Sequence, residues 1–151
     1  MTLLATIPFL CVSRYAAAFA PPADPCSVLT TEQVSAALDA KSTAGKHVVA
    51  TLCEWDAVGQ QAAARSRKLT LGFLSASAWE QTKALRERMH SFKRTPVEGL
   101  GEEAVFSTNG TICTLQVKKG SAVLDMHLFG FAADQAKAKE IALARVALGK
   151  F

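Results

Sequence analysis

Residues 104–129 read AVFSTNGTICTLQVKKGSAVLDMHLF. Apolar and polar residues alternate along this stretch, and two turn signals, Asn109-Gly110 and Lys119-Gly120, interrupt it. Alternation with a period of two is the mark of a strand with one buried face, and Asn-Gly between two such runs is a strong hairpin signal. The reading is three consecutive strands, near 104–108, 111–118 and 121–129, paired antiparallel. A parallel sheet would need long crossovers where this stretch has only tight turns.

Working outward, residues 133–148 follow as a closing helix. Upstream, Gly99 and Gly101 punctuate a loop that feeds the first of the three strands. Ser77-Ala78-Trp79-Glu80 has the form of a capping box and opens a helix over 78–92, with Ala78, Thr82, Leu85, Met89 and Phe92 at helical spacing. Two further alternating runs, 47–56 and 68–74, read as strands. Thr30-Thr31-Glu32-Gln33 is another capping box, with Leu29 and Val34 placed as a hydrophobic staple, and predicts a short helix over 31–39. The expected order is α, β, β, α, β, β, β, α. The expectation is an α+β fold: a largely antiparallel five-stranded sheet packed with three helices.

The chain has 151 residues, half of them hydrophobic and 20% charged, which suits one globular domain with a sizeable core. The net charge of +4 is too mild to imply nucleic acid. Leu3 to Val12 is an apolar run of signal-peptide length, too short to span a bilayer, and Ala16-Ala17-Ala18 offers a small-residue cleavage site. The expected organisation is a signal peptide at 1–18, a proline-rich linker at 19–25 and a single domain at 26–151, in a periplasmic or secreted protein. The leader lacks a basic residue before its apolar run, and Leu10 before Cys11 argues against a lipid-modified cysteine. Removal of the leader leaves Cys26, Cys53 and Cys113, an odd number, in a compartment where disulfides persist.

Several short motifs occur in one order: Pro25-Cys26-Ser27-Val28-Leu29-Thr30, Cys53-Glu54-Trp55, Gly99-Leu100-Gly101-Glu102-Glu103-Ala104 and Lys118-Lys119-Gly120. Their order resembles a group of small secreted bacterial cell-envelope domains of unknown function, of lipoprotein and sensor-domain type, whose folds look like the PsbP-type α/β sandwich. The resemblance spans roughly residues 24–149. It implies a disulfide between Cys26 and Cys53, which would pin the first helix to the first strand; two buried free thiols are the alternative. Cys113 is a departure from the resemblance and reads as a free buried thiol in its strand, and a Cys53–Cys113 link would overturn the pairing. It implies no particular reaction.

The residues add little catalytic signal. His47, His90 and His127 are scattered, and no His-x-x-x-His or Cys-x-x-Cys spacing occurs. No nucleophile elbow, phosphate loop or dinucleotide fingerprint is present. Asp125 and His127 share a strand face and read as an ion pair sooner than as metal ligands. Glu102 and Glu103 point to opposite faces and cannot act on one substrate. From Arg65 to Arg94 eight basic residues stand against two acidic ones. Lys83, Arg86 and Lys93 within this segment form a candidate anion-binding surface for lipid headgroups or an acidic protein. Trp55, Trp79 and Phe92 are candidates to line a pocket between sheet and helices.

The expectation is a non-catalytic envelope binding or sensor-like module for a small amphiphile, lipid or protein partner, with no cofactor, no metal and no nucleic acid. The alternative is an accessory subunit of an envelope complex that docks through its basic helix. A pocket lined by the three aromatics favours the first reading and a flat basic face the second.

Overall fold

The computed structural model describes residues 20–59 and 66–151. The predicted leader with its cleavage site and Cys11, Phe19, and Gln60 to Arg65 lie outside the described residues. A 3-10 turn at Pro25–Ser27 precedes α1 (Thr31–Leu38). Then come β1 (Lys46–Val49), β2 (Leu52–Asp56), β3 (Lys68–Ser75) and α2 (Ala76–Arg88). Strands β4 (Lys93–Pro96), β5 (Glu103–Thr108), β6 (Cys113–Lys119) and β7 (Ala122–Phe129) follow, and α3 (Ala133–Leu148) is the last of the described elements.

The sheet corrects the expected strand count: among the described residues it has seven strands, not five, in the order β1-β2-β3-β7-β6-β5-β4, all antiparallel. The run 47–56 is a hairpin, not one strand, with Val49 opposite Leu52 and only Ala50 and Thr51 between. The two-residue turn shifts the alternation by one residue, the irregularity between His47 and Val49 shifts it back, and no glycine marks the turn, so the pattern reads straight through. The second addition, β4, is the short edge sequence Lys93-Arg94-Thr95-Pro96. Charges and a proline are the usual protection of a sheet edge, and they erase the apolar signature of a strand.

Helix α2 is also shorter than expected and begins earlier. Ser75, not Ser77, is its N-cap and accepts a hydrogen bond from the Ala78 N–H at 3.1 Å. The helix stops at Arg88, where Arg94 donates from its guanidinium to the carbonyls of Arg86 and Met89. Phe92 and Lys93 therefore lie beyond the helix, and Lys93 starts β4. The expected apolar stripe does not face the core: Leu85 is 60% exposed and Met89 43%. The α1 capping box is as the sequence indicates. Thr30 N–H donates to Gln33 Oε1 at 2.9 Å and Gln33 N–H to Thr30 Oγ1 at 3.3 Å.

Pairing register assigns the two sheet faces. Cys53, Leu71, Met126, Leu115 and Phe106 lie in one row across β2, β3, β7, β6 and β5. They belong to the buried cluster that also holds Val34 and Leu38 of α1 and Ala136, Leu143, Ala144 and Ala147 of α3. Helices α1 and α3 thus cover the inner face. The disulfide joins Cys26 to Cys53, with Cα atoms 5.1 Å apart. It ties the 3-10 turn to β2 and stabilises by about 3 kcal/mol through loop closure. Cys113 is free and buried. Glycine is required beside the staple, because a Cβ on Gly45 would sit 2.8 Å from Cys53 Sγ and 2.7 Å from Trp55 Nε1.

Candidate functional site

The outer face carries a polar row that crosses every strand. Register places Arg94, Ser107, Thr114, His127, Thr70, Glu54 and Lys46 side by side from β4 to β1. Thr70, Ser107 and Thr114 are nearly buried although they lie on the face opposite the core. Helix α2, the connection from β3 to β4, lies across part of this row and supplies the cover.

One hydrogen-bonded chain runs through the middle. Arg86 Nη1 donates to Gln116 Oε1 at 2.8 Å, and Gln116 Nε2 donates to Asp125 Oδ1 at 2.8 Å. Asp125 Oδ2 lies 3.1 Å from His127 Nε2, and His127 Nδ1 lies 2.9 Å from Thr114 Oγ1. With Nε2 protonated toward the carboxylate, Nδ1 of a neutral ring accepts from the threonine hydroxyl. The sequence pairs Asp125 with His127 correctly, but Gln116 and Arg86 come from another strand and from α2, which no local spacing reveals.

Arg86 is the hinge between helix and sheet. Its guanidinium stacks on the Trp79 ring, 3.8 Å from the centroid, and Nη2 donates to the Trp79 carbonyl at 3.2 Å. Burial lowers its pKa from the ordinary arginine value, with Asp125 opposing that shift. Arginine nonetheless remains charged at neutral pH.

Two adjoining clefts of about 180 Å³ each open where α2 ends. Both are lined by Arg86, Arg94 and Ser107. Trp79, Pro96 and Val105 wall the first; Met89, Phe92, Thr114 and His127 wall the second. Arg94 is held by the carbonyls at the end of α2, and its Nε is buried without a hydrogen-bond partner. A buried donor left unpaired is costly, so an acceptor brought next to it gains more than it would on an open surface.

The predicted pocket residues therefore separate. Trp79 and Phe92 line adjoining clefts on the outer face, whereas Trp55 is buried in the inner core beside Cys53. The predicted basic surface separates too. Lys83 pairs with Glu103 at 3.2 Å, Arg86 faces the cleft, and only Lys93 stands exposed on the edge strand. Arg67 and Lys68, from the same basic segment, lie just before and at the start of β3, with Asp39 and Glu54 as partners. Arg94 and Ser107 were not singled out from the sequence; the signal that could have found them is the register across β4 and β5.

Glu102 and Glu103 go separate ways. Glu102 Oε1 accepts from the Gly120 N–H at 2.8 Å, while Glu103 pairs with Lys83. Comparison with family models, curated proteins and solved structures finds no match, so neither the PsbP-type expectation nor any activity has a relative to rest on.

Proposed function

We propose that the protein is a non-catalytic binding module, working outside the cytoplasm, that takes an anionic amphiphile at the end of α2. The observation that carries the reading is the convergence of Arg86 and Arg94 on two adjoining clefts otherwise rich in apolar wall. Two guanidinium groups suit a carboxylate or phosphate headgroup. Met89 and Phe92 beside them suit a hydrocarbon chain, and the exposed Met89 offers an adaptable surface for it. The disulfide fits an oxidising compartment, and no helix among the described residues is long and apolar enough to cross a membrane. The docking-helix alternative has less to work with, because Lys83 is paired with Glu103 and Lys93 lies beyond the helix on the edge strand.

The test is titration with a long-chain fatty acid and a lysophosphatidic acid below their micelle concentrations, followed by tryptophan emission and calorimetry. The expected result is one site per chain, with Arg94→Ala weakening binding by about ten- to a hundredfold, the loss expected for a charge-assisted hydrogen bond. Lys93→Ala should leave the affinity unchanged. Absence of binding, or equal binding by Arg94→Ala, rejects the proposal.

A further inference from the structure

We propose that the Cys26–Cys53 corner is a redox-gated metal site: once the disulfide is reduced, Asp24, Cys26, His47 and Cys53 together hold one zinc ion. Ligand atoms of Asp24, Cys26 and His47 already lie within 4.8 Å of one another. Cys53 is bonded to Cys26 and stands opposite His47 in the β1–β2 register. His47 Nε2 is 3.2 Å from Asp24 Oδ1, and both side chains are about half exposed, which leaves an entry path.

The corner is built from groups held in different ways. Cys53 is fully buried in the sheet, and Gly45 packs directly on its sulfur. Cys26 sits at the rim in a single 3-10 turn, with its N–H donating to Asp24 Oδ1 at 2.7 Å. That hydrogen bond orients the carboxylate, whose other oxygen has no partner among the described residues. Two thiolates, an imidazole and a carboxylate are four donors of the kind zinc takes in closed tetrahedral sites. The donors come from the turn, β1 and β2, so no short-spacing motif announces them.

The chemistry balances as follows. A dithiol reductant transfers two electrons and two protons; the Cys26–Cys53 S–S bond breaks, two thiols form and the reductant closes to its own disulfide. Zn²⁺ then binds both sulfurs as thiolates, releasing two protons to solvent, and keeps its charge throughout. In the oxidised chain the sulfurs are joined and offer no thiolate, so Asp24 and His47 remain a surface pair. The staple between the 3-10 turn and β2 is thereby covalent under oxidising conditions and coordinative under reducing ones.

The experiment uses the whole chain reduced with a phosphine, and Co²⁺ as a spectroscopic stand-in for zinc. The expected result is one cobalt per chain with thiolate-to-metal charge-transfer absorption, bleached by zinc and missing from the oxidised protein. His47→Ala and Asp24→Asn should each weaken binding by at least about tenfold. Cys113→Ser should bind as the parent chain does. Zinc should also raise the melting temperature of the reduced protein, or restore its far-ultraviolet circular dichroism if reduction unfolds it. No charge-transfer band, a band that survives Cys26→Ser or depends on Cys113, or a reduced chain that zinc neither stabilises nor refolds would each overturn the proposal.

Discussion

Glu140 is fully buried in α3 and carries the largest perturbation of any carboxyl among the described residues. Its Oε1 accepts from the Leu128 N–H of β7 at 2.8 Å, and its Oε2 has no partner. Burial pushes its pKa up to about 9, with the charge of Asp125 adding to the shift. The carboxyl is therefore protonated in the folded protein at neutral pH and ionised in the unfolded chain. The folded state holds the extra proton between the ordinary carboxylate value of 4.5 and about 9. Stability from this group is complete at the acid end of that window and is lost as pH rises through it, by up to about 1.4 kcal/mol per pH unit. Glu140→Gln keeps the acceptor for Leu128 and removes the titration. Denaturant melts from about pH 5 to about pH 9 should show a falling midpoint for the parent chain and a flatter, higher one for Glu140→Gln at the alkaline end. An unchanged slope in the variant would place the pH dependence elsewhere.

At the scale of elements, close backbone approaches are what hold the sheet's ends in register. Gly101 has φ of +63° and lies against β6, where a Cβ would collide with the Lys118 carbonyl oxygen and the Val117 side chain. Its neighbour Glu102 donates its N–H to that same carbonyl at 2.8 Å. Gly101→Ala should thus cost about 2 kcal/mol or more, from left-handed strain plus displacement of β6. Gly99→Ala, at φ of +69° but with open space around it, should cost less. Chemical denaturation of the two variants compares them, and equal losses would show that strain alone matters. The glycines, the α1 cap and the three C-terminal strands were legible because each is a local chemical pattern, whereas the Cys26–Cys53 pairing, between residues 27 apart, came from the resemblance carried by the order of the motifs. The β1–β2 turn was not legible, since the irregularity between His47 and Val49 cancels the one-residue shift that the Ala50-Thr51 turn makes. Nor was β4, whose lysine, arginine and proline serve an edge instead of a core. For the site, Trp79, Phe92 and Arg86 could be nominated by type, but Arg94 and Ser107 join them only through pairing between strands. Trp55 was misgrouped because which side of the sheet a residue faces depends on the register of the whole row.

At the scale of the whole molecule, the sheet consists of two meanders, β1-β2-β3 and β4-β5-β6-β7, each built from neighbours in the chain. A single seam joins them: β3 on β7, from Lys68 opposite Phe129 to Ser75 opposite Ala122. The search for the native state is consequently uneven. Hairpins within each meander close in microseconds, whereas the seam must first bear the entropy of the long loop that contains α2 and β4 to β6. Seam formation should therefore be the rate-limiting event, with its contacts present in the transition state. Leu71→Ala, in the seam, should mainly slow refolding, and Phe106→Ala, away from it in β5, should mainly speed unfolding. Stopped-flow chevrons of the two variants separate these effects, and the opposite partition would mean that the C-terminal meander nucleates alone. Newly made chain reaches β7 after the other six strands, so β3 presents an unpaired central edge until β7 has been made. A chaperone or translocation partner that binds extended chain has its longest opportunity at this strand.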